Sequence, residues 1–227
     1  MNRATAVVFI LALAGGAVFG ASTTLQQAET LYAQNKPKDA QPLLEQALGD
    51  DPTNEQIYLY LGIVYQQLGN PDKAIEVLKR GLSIASAHKD LFYFNIGNDF
   101  FSQKQFTFAE QMYNNALAAN SVLADGYLNR ANARLQLANL VGALADYTQF
   151  LQLDPQDVQR PRIEQVMRLL QQALDEQAQA AQKEAARQKA LLNDVTNSLS
   201  NAGENAKNLS VESINAQTDP VDVDIKD

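Results

Sequence analysis

An internal period of about 34 residues constrains what this chain can fold into more than any other feature of its sequence. Three segments share one pattern of an aromatic residue, a small residue and a second large residue. The segments begin at Tyr58, Tyr93 and Tyr127, one period apart in each case, with one additional residue in the first interval. A second motif, alanine followed four residues later by a large side chain, recurs with the same offsets from Ala74, Ala109 and Ala143. Because several residue types recur in phase, each period is expected to be one structural unit.

A fourth, weaker unit precedes these three. Ala28 lies one period before Gly62, and Ala40 lies one period before Ala74. Within each unit a turn such as Asn35-Lys36-Pro37 interrupts the apolar pattern, since proline and glycine end helices. Each unit is therefore predicted to be two helices joined by a short turn. The one additional residue between the second and third units is expected near Ala85–Lys89.

Small and aromatic residues alternate in a way that suits close helix packing. The small residues are expected to let neighbouring helices approach, and the aromatic residues to fill the core, because one such unit cannot bury its apolar face alone. The residues given this structural role are Tyr58, Gly62, Tyr65, Ala74, Tyr93, Gly97, Ala109, Tyr127, Ala131 and Ala143.

With these residues in place, the chain resembles the tetratricopeptide repeat family, whose repeat unit has the same length and the pattern W-x2-L-G-x2-Y…A-x3-F…P. The resemblance implies an all-α fold, a right-handed α-solenoid of about four helix-turn-helix units. The units are predicted at about 21–54, 55–89, 90–123 and 124–157, within a domain of residues 22–157. The second and third units match best, with tyrosine in place of the leading tryptophan.

Two arginines of the fourth unit stand where the pattern has apolar residues. A common subset of the repeat has an arginine and an aspartate facing each other across its two helices, and the resemblance implies such an ion pair between Arg130 and Asp146. The alternative is a cationic contact with a carboxylate of a partner protein, chiefly through Arg134.

A stripe offset by one residue from the core stripe is expected to face the inside of the solenoid. In tetratricopeptide proteins this concave groove is the usual peptide-binding surface, so the resemblance implies recognition of an extended or helical protein segment there. The alternative is that some of these side chains pack between repeats or are covered by the chain's own C-terminal helix. The stripe, called the groove stripe below, consists of Leu59, Ile63, Gln66, Phe94, Asn98, Phe101, Leu128, Asn132 and Leu135.

After Pro155 a further helix is predicted over residues 158–198, because a proline follows Arg160 and an apolar stripe runs from Ile163 to Leu174. This helix is expected to cap the last repeat and then to extend into solvent or pair with another chain. The sequence pattern supports only two heptads, fewer than the three or four that indicate a coiled coil. Residues 199–227 are acidic and have no aromatic residue, so a disordered tail is predicted.

The N-terminal residues have the order of an export signal. Arg3 is followed by an uncharged apolar run, and small residues such as Gly20 and Ala21 end it. Residues 1–21 are therefore predicted to be a signal peptide, or alternatively an uncleaved N-terminal anchor. The expected location is the periplasm, with an inner-membrane-anchored form as the alternative.

The composition leaves few residues from which a catalytic or metal-binding site could be built. The chain has no cysteine and only one histidine, His88, which leaves little with which to build a metal centre or a nucleophile–base pair. The net charge of −8 disfavours nucleic acid as a partner. We expect no enzyme activity, no cofactor and no metal. The expected function is that of a scaffold in the bacterial cell envelope that binds a protein or peptide, with a structural subunit that assembles through the C-terminal helix and tail as the alternative. A monomer is favoured.

Overall fold

Residues 23–216 are described by a computed structural model, with side-chain placement for residues 23–205. These residues form α-helices and no β-strand, as predicted. The helices are α1 (Thr23–Ala33), α2 (Pro37–Asp50), α3 (Glu55–Gln67), α4 (Pro71–Ile84), α5 (Lys89–Ser102), α6 (Phe106–Ala119), α7 (Ala124–Gln136), α8 (Leu140–Leu153) and α9 (Arg160–Ala216).

The first eight helices form four antiparallel pairs, one for each predicted unit. Each helix packs against the next one along the chain, and each odd-numbered helix from α1 to α7 also contacts the next odd-numbered helix. The result is a helical solenoid in which α1, α3, α5 and α7 form one layer, called the inner layer below. The additional residue between the second and third units extends α5, which has 14 residues where α3 and α7 have 13.

Each pair turns through one residue with left-handed backbone conformation. The φ angles are 56° at Asn35, 75° at Gly69, 61° at Lys104 and 57° at Ala138, again at the repeat spacing. At every turn the residue after the left-handed one donates its N–H to a carbonyl five residues earlier, as in Asn139 N to Arg134 O at 2.9 Å. This Schellman arrangement satisfies carbonyls that the helix end would otherwise leave unpaired.

The small residues of the repeat lie where helices approach most closely. Ala28 and Ala131 are fully buried, as are all four alanines on the second helices, Ala40, Ala74, Ala109 and Ala143. A Cβ atom added to Gly62 would collide with the Leu78 side chain, and one added to Gly97 would lie 2.6 Å from the Tyr113 ring. Small residues therefore lie at the helix contacts.

Tyrosine side chains of the repeats fill this core to different extents. Tyr58, Tyr113 and Tyr147 are buried, whereas Tyr93 and Tyr127 are partly buried against the cluster around Phe94 and Leu117. Tyr58 and Tyr127 also donate their hydroxyls to the backbone carbonyls of Pro52 and Ser121, six residues earlier in each case. In the second and fourth units the leading tyrosine therefore links its helix to the loop that precedes it.

The chain divides into two units, Met1–Leu170 and Gln171–Asp227. In the first unit, Ile163 and Leu170 of α9 are buried against Tyr147, Phe150 and Leu151 of α8, which is the predicted capping contact.

The second unit differs from the prediction, because α9 continues to Ala216 where a disordered tail was expected from residue 199. The low apolar content of this stretch argues against burial but not against a helix, and no proline occurs between Arg162 and Ala216 to end one. The rest of the predicted tail, residues 217–227, lies outside the described residues.

Candidate functional site

The groove stripe lies on three helices of the inner layer, α3, α5 and α7, in three rows of equivalent positions. Each row contains one residue from each helix, so a row runs across the repeats while the stripe runs along them. The structure separates the rows by burial and by hydrogen bonding, and only part of the predicted surface is open to a partner.

The first row, Leu59, Phe94 and Leu128, is buried, with exposed fractions of 6%, 8% and 8%. Phe94 packs against Tyr113 with ring centroids 6.0 Å apart, and Leu59 and Leu128 belong to the clusters around their own repeats. These three side chains are therefore not part of the exposed surface of the inner layer. They pack between helices of the solenoid, which is the alternative that the sequence left open.

The second row, Ile63, Asn98 and Asn132, contains one relationship that repeats across two units. The Tyr113 hydroxyl donates a hydrogen bond of 2.9 Å to Asn98 Oδ1, and the Tyr147 hydroxyl donates one of 2.7 Å to Asn132 Oδ1. Asn129 Nδ2 also donates to Asn98 Oδ1 at 2.8 Å. Each tyrosine thus fixes the orientation of an asparagine on the partner helix of its pair.

This relationship determines what the two asparagines can offer to a ligand. Their amide oxygens are occupied, whereas their amide nitrogens make no hydrogen bond to any of the described residues. Both side chains are partly exposed. A pair of oriented N–H donors at equivalent positions, one repeat apart, is suited to carbonyl acceptors spaced along a partner chain.

The third row, Gln66, Phe101 and Leu135, is partly exposed and mixes polar with apolar character. Phe101 contacts Phe106 edge-on with ring centroids 5.3 Å apart, which holds its ring against the turn between α5 and α6. Together with Ile63 these residues place exposed apolar surface on both sides of the asparagines. The open part of the groove stripe therefore consists of Ile63, Gln66, Asn98, Phe101, Asn132 and Leu135.

Sequence reasoning missed Asp99, which lies on α5 beside this open part. Asp99 is fully buried, and neither of its carboxylate oxygens has a hydrogen-bond partner among the described residues. Burial raises the pKa of this carboxyl from 3.8 to about 8, and the neighbouring Gln66 side chain offsets only part of that effect. The carboxyl is therefore mostly protonated at neutral pH. The one signal in the sequence is that Val64 and Ala133 occupy the equivalent positions of the adjacent units.

The arginines of the fourth unit form a charge cluster with Asp146 of the same unit and Glu110 of the third. Arg130 donates from Nη2 to Asp146 Oδ1 at 2.7 Å and from Nε to Asp146 Oδ2 at 2.9 Å, so the predicted ion pair is present. Arg134 pairs with Glu110 at 2.6 Å and with Asp146 at 2.8 Å. The structure thus gives Arg134 internal carboxylate partners in place of the partner carboxylate that was considered for it.

The predicted signal segment, residues 1–21, lies outside the described residues. Within residues 23–216, no helix combines the length and the apolar character that crossing a membrane requires.

Comparison with known proteins agrees with the repeat structure. Two family models, both described as tetratricopeptide repeat, match residues 31–90 and 94–158 and together cover more than half of the chain. A crystal structure of MamA superposes with a TM-score of 0.60 at 21% identity, covering 69% of this chain and 87% of that one. That likeness concerns the fold.

Two curated relatives share part of the sequence. RNA polymerase II-associated protein 3 of Xenopus laevis is 40% identical over 90 residues, which are 40% of this chain and 14% of that protein. Tetratricopeptide repeat protein 16 of Homo sapiens is 27% identical over an alignment of 143 positions that covers 58% of this chain and 16% of that protein. The chain thus spans only about 14–16% of the length of these relatives. With the four helical pairs and the two matching family models, the chain belongs to the tetratricopeptide repeat family.

Proposed function

We propose that this chain is a non-enzymatic scaffold that holds a segment of a partner protein on the open part of the groove stripe. The observation that carries the proposal is the repeated tyrosine–asparagine pair, Tyr113 with Asn98 and Tyr147 with Asn132. Each pair presents a fixed amide donor beside partly exposed apolar side chains. Membership of a family of protein-interaction repeats supports this function.

The chemistry of the open surface suggests what kind of segment would bind. The amide nitrogens of Asn98 and Asn132 would donate to main-chain carbonyls, and Phe101 and Leu135 would contact apolar side chains of the same segment. Such contacts suit an extended or helical segment whose polar backbone and apolar side chains both face the inner layer. Arg134 is already paired with Glu110 and Asp146, so charge complementarity at Arg134 is not part of this proposal.

The test begins with cross-linking in the native cell followed by mass spectrometry, which identifies the partner and the segment in contact. Affinity for that segment is then measured with Asn98→Ala and Asn132→Ala. We expect the double variant to lose about tenfold in affinity or more, since each lost hydrogen bond costs about 0.5–1.5 kcal/mol.

Two matched controls separate binding from stability. Tyr113→Phe removes the internal hydrogen bond but keeps the Asn98 amide, so it should lower the melting temperature more than it lowers affinity. Asn115→Ala replaces an asparagine with alanine at an exposed position of α6, and it should change neither the affinity nor the melting temperature. Full affinity in the Asn98→Ala, Asn132→Ala double variant would rule out this surface.

We further propose that the scaffold works outside the cytoplasm, in the periplasm of a bacterial cell. The support is the order of residues 1–21, a basic start, an apolar run and a small-residue end. Cell fractionation with mass measurement of the mature N-terminus tests this. A chain that starts after about Gly20 or Ala21 in the periplasmic fraction would support export with cleavage, a full-length chain in the membrane fraction would support the anchored form, and a full-length chain in the cytoplasm would exclude both.

A second candidate function is that of a structural subunit that assembles through α9. Large apolar side chains of α9 are exposed, among them Leu191, Leu192, Val195 and Leu199. Deleting residues 176–227 distinguishes the two candidates, because a groove binder keeps its partner and a subunit that assembles through α9 loses it.

A further inference from the structure

Seven apolar residues of the exposed part of α9 fit a heptad pattern through four consecutive heptads, 178–205, whereas Ala180, Ala186, Ala190 and Leu191 lie outside its apolar positions. The residues at its first and fourth positions, a and d, alternate at spacings of three and four. They are Ala178, Ala181, Ala185, Gln188, Leu192, Val195, Leu199 and Ala202, and are called the α9 seam below. The sequence pattern by itself supported only two heptads, fewer than a coiled coil requires. The observed helix continues to Ala216 and brings the fourth heptad into the same frame.

The α9 seam packs against none of the residues that the structure describes. Every side chain from Asp175 to Asn205 is exposed, and Leu192, Val195 and Leu199 have exposed fractions of 65%, 46% and 68%. The seam carries no charge, whereas Lys183, Glu184, Arg187, Lys189, Asp194 and Glu204 all lie at other heptad positions. A neutral, mostly apolar stripe with a heptad period is suited to packing against a second helix with the same period.

The low intrinsic stability of this helix also indicates that it packs against a partner. Its later half contains Asn193, Asn197, Asn201, Asn205 and Gly203, all poor helix formers. Most helices in proteins owe their stability to packing of an apolar face rather than to propensity. A helix of this composition with its whole stripe in water lacks that contribution.

We infer that the α9 seam joins two copies of this chain in a parallel, in-register coiled coil. The charges that flank the seam favour this partner and this orientation. In a parallel pair, a residue at position g lies next to the residue at position e of the following heptad in the other helix. Glu184 occupies g and Lys189 occupies the following e, so two copies form two Glu–Lys contacts related by symmetry.

The one polar residue of the seam supports the register. Gln188 occupies a d position, and in a parallel in-register pair it meets Gln188 of the second copy. Two glutamine amides can each donate to and accept from the other. A shifted register would place each amide against an apolar side chain without a partner, which is how a single polar core residue selects one alignment.

Sedimentation velocity on the purified chain over a range of concentrations tests the inference. We expect a monomer–dimer equilibrium, with the helical signal at 222 nm increasing as the dimer forms. Leu192→Glu with Leu199→Glu places four charges in the seam of the dimer and should leave only monomer.

The matched control is Ala190→Glu with Asn197→Glu, which places the same two charges seven residues apart on the outer face of the helix. It should dimerise like the unchanged chain. Because both double variants retain the four repeats and the N-terminal residues, a difference between them reports on the seam alone.

Orientation is tested with cysteine, which the chain lacks. Val195→Cys should form disulfide-linked dimers under mild oxidation, because residues at d meet their own equivalents in a parallel pair, and Asn197→Cys should not. A chain that stays monomeric at about 100 µM, where a dimer with a Kd of about 1 µM would be nearly complete, overturns the inference and leaves α9 for a different protein. Dimers that survive both glutamate pairs, or equal cross-linking at 195 and 197, also overturn it. None of these readouts depends on the proposed groove function.

Discussion

Arg130 and Asp146 face each other across the two helices of the fourth unit and share two hydrogen bonds, of 2.7 and 2.9 Å. Asp146 is almost completely buried, so its carboxylate depends on these contacts and on a third one from Arg134. Arg130 also lies over the Tyr127 ring, 5.4 Å from its centroid. The ion pair therefore connects α7 to α8, and the same arginine also packs on the Tyr127 ring.

Replacing Arg130 with methionine is expected to destabilise the protein by about 3 kcal/mol, because removing one partner of a buried ion pair leaves an uncompensated charge and costs about 3–5 kcal/mol. We expect the lower end of that range, since Arg134 remains within 2.8 Å of the same carboxylate. Urea unfolding measures the change.

The double variant Arg130→Met, Asp146→Leu is the control for this prediction. With both charges gone, most of the lost free energy of unfolding should return, because an apolar pair of similar volume is often as stable as the ion pair. If Arg130→Met left the melting temperature unchanged and abolished partner binding, Arg130 would be a ligand contact and not a structural one.

The buried carboxyl of Asp99 is expected to make stability fall as pH rises. Its pKa is about 8 in the folded protein against an ordinary value of 3.8, so the folded state holds the proton more tightly than the unfolded state. The contribution to stability is complete below about pH 4 and is lost progressively up to about pH 8, by at most about 1.4 kcal/mol per pH unit.

Asp99→Asn isolates this effect, because the amide does not titrate. The free energy of unfolding of this variant should exceed that of the unchanged chain by a margin that grows between pH 4 and pH 8 and then stays constant. Taking the difference removes the contributions of Glu29 and Asp125, whose pKa values burial also raises. A margin independent of pH would show that Asp99 is ionised in the folded protein.

The repeat was predictable because its determinants are residue types at fixed spacing. Gly62 and Gly97 leave room on the first helix for the side chains of Leu78 and Tyr113 on the second helix. Because each repeat needs this room, a small residue recurs at this position with the repeat spacing. The exposure of the groove stripe was less predictable. Leu59 and Ile63 are four residues apart on one helix face, yet only Leu59 is buried, because burial depends on how far the adjacent unit rotates.

The turn conformation was also hidden at two of four positions. Gly69 and Asn35 are residues that commonly adopt left-handed conformation, whereas Lys104 and Ala138 adopt it because the two helices they join are fixed by packing. Asp99 is a similar case. Its side chain type indicates a surface position, and only the packing of α5 places it in the core.

Ala138→Gly is expected to stabilise the protein. The left-handed conformation at φ 57° costs a residue with a Cβ atom roughly 1 kcal/mol, and glycine adopts it without that cost. The opposite change, Gly69→Ala at φ 75°, should destabilise by a similar amount, although no atom lies within 4 Å of the added Cβ. Thermal unfolding of the two variants measures both. Shifts of the same sign would contradict this assignment of the turn conformation.

The same substitution at two glycines should have opposite effects on stability. Gly62→Ala places a Cβ atom against Leu78 and should destabilise by about 1–3 kcal/mol, because neither helix can move away without losing its other contacts. Gly49 lies exposed near the end of α2 with no atom within 4 Å of an added Cβ. Gly49→Ala should therefore stabilise by about 0.5–1 kcal/mol through helix propensity alone. Urea unfolding of both variants provides the comparison. A Gly62→Ala variant as stable as Gly49→Ala would mean that the helices of the second unit are not in close contact at this point.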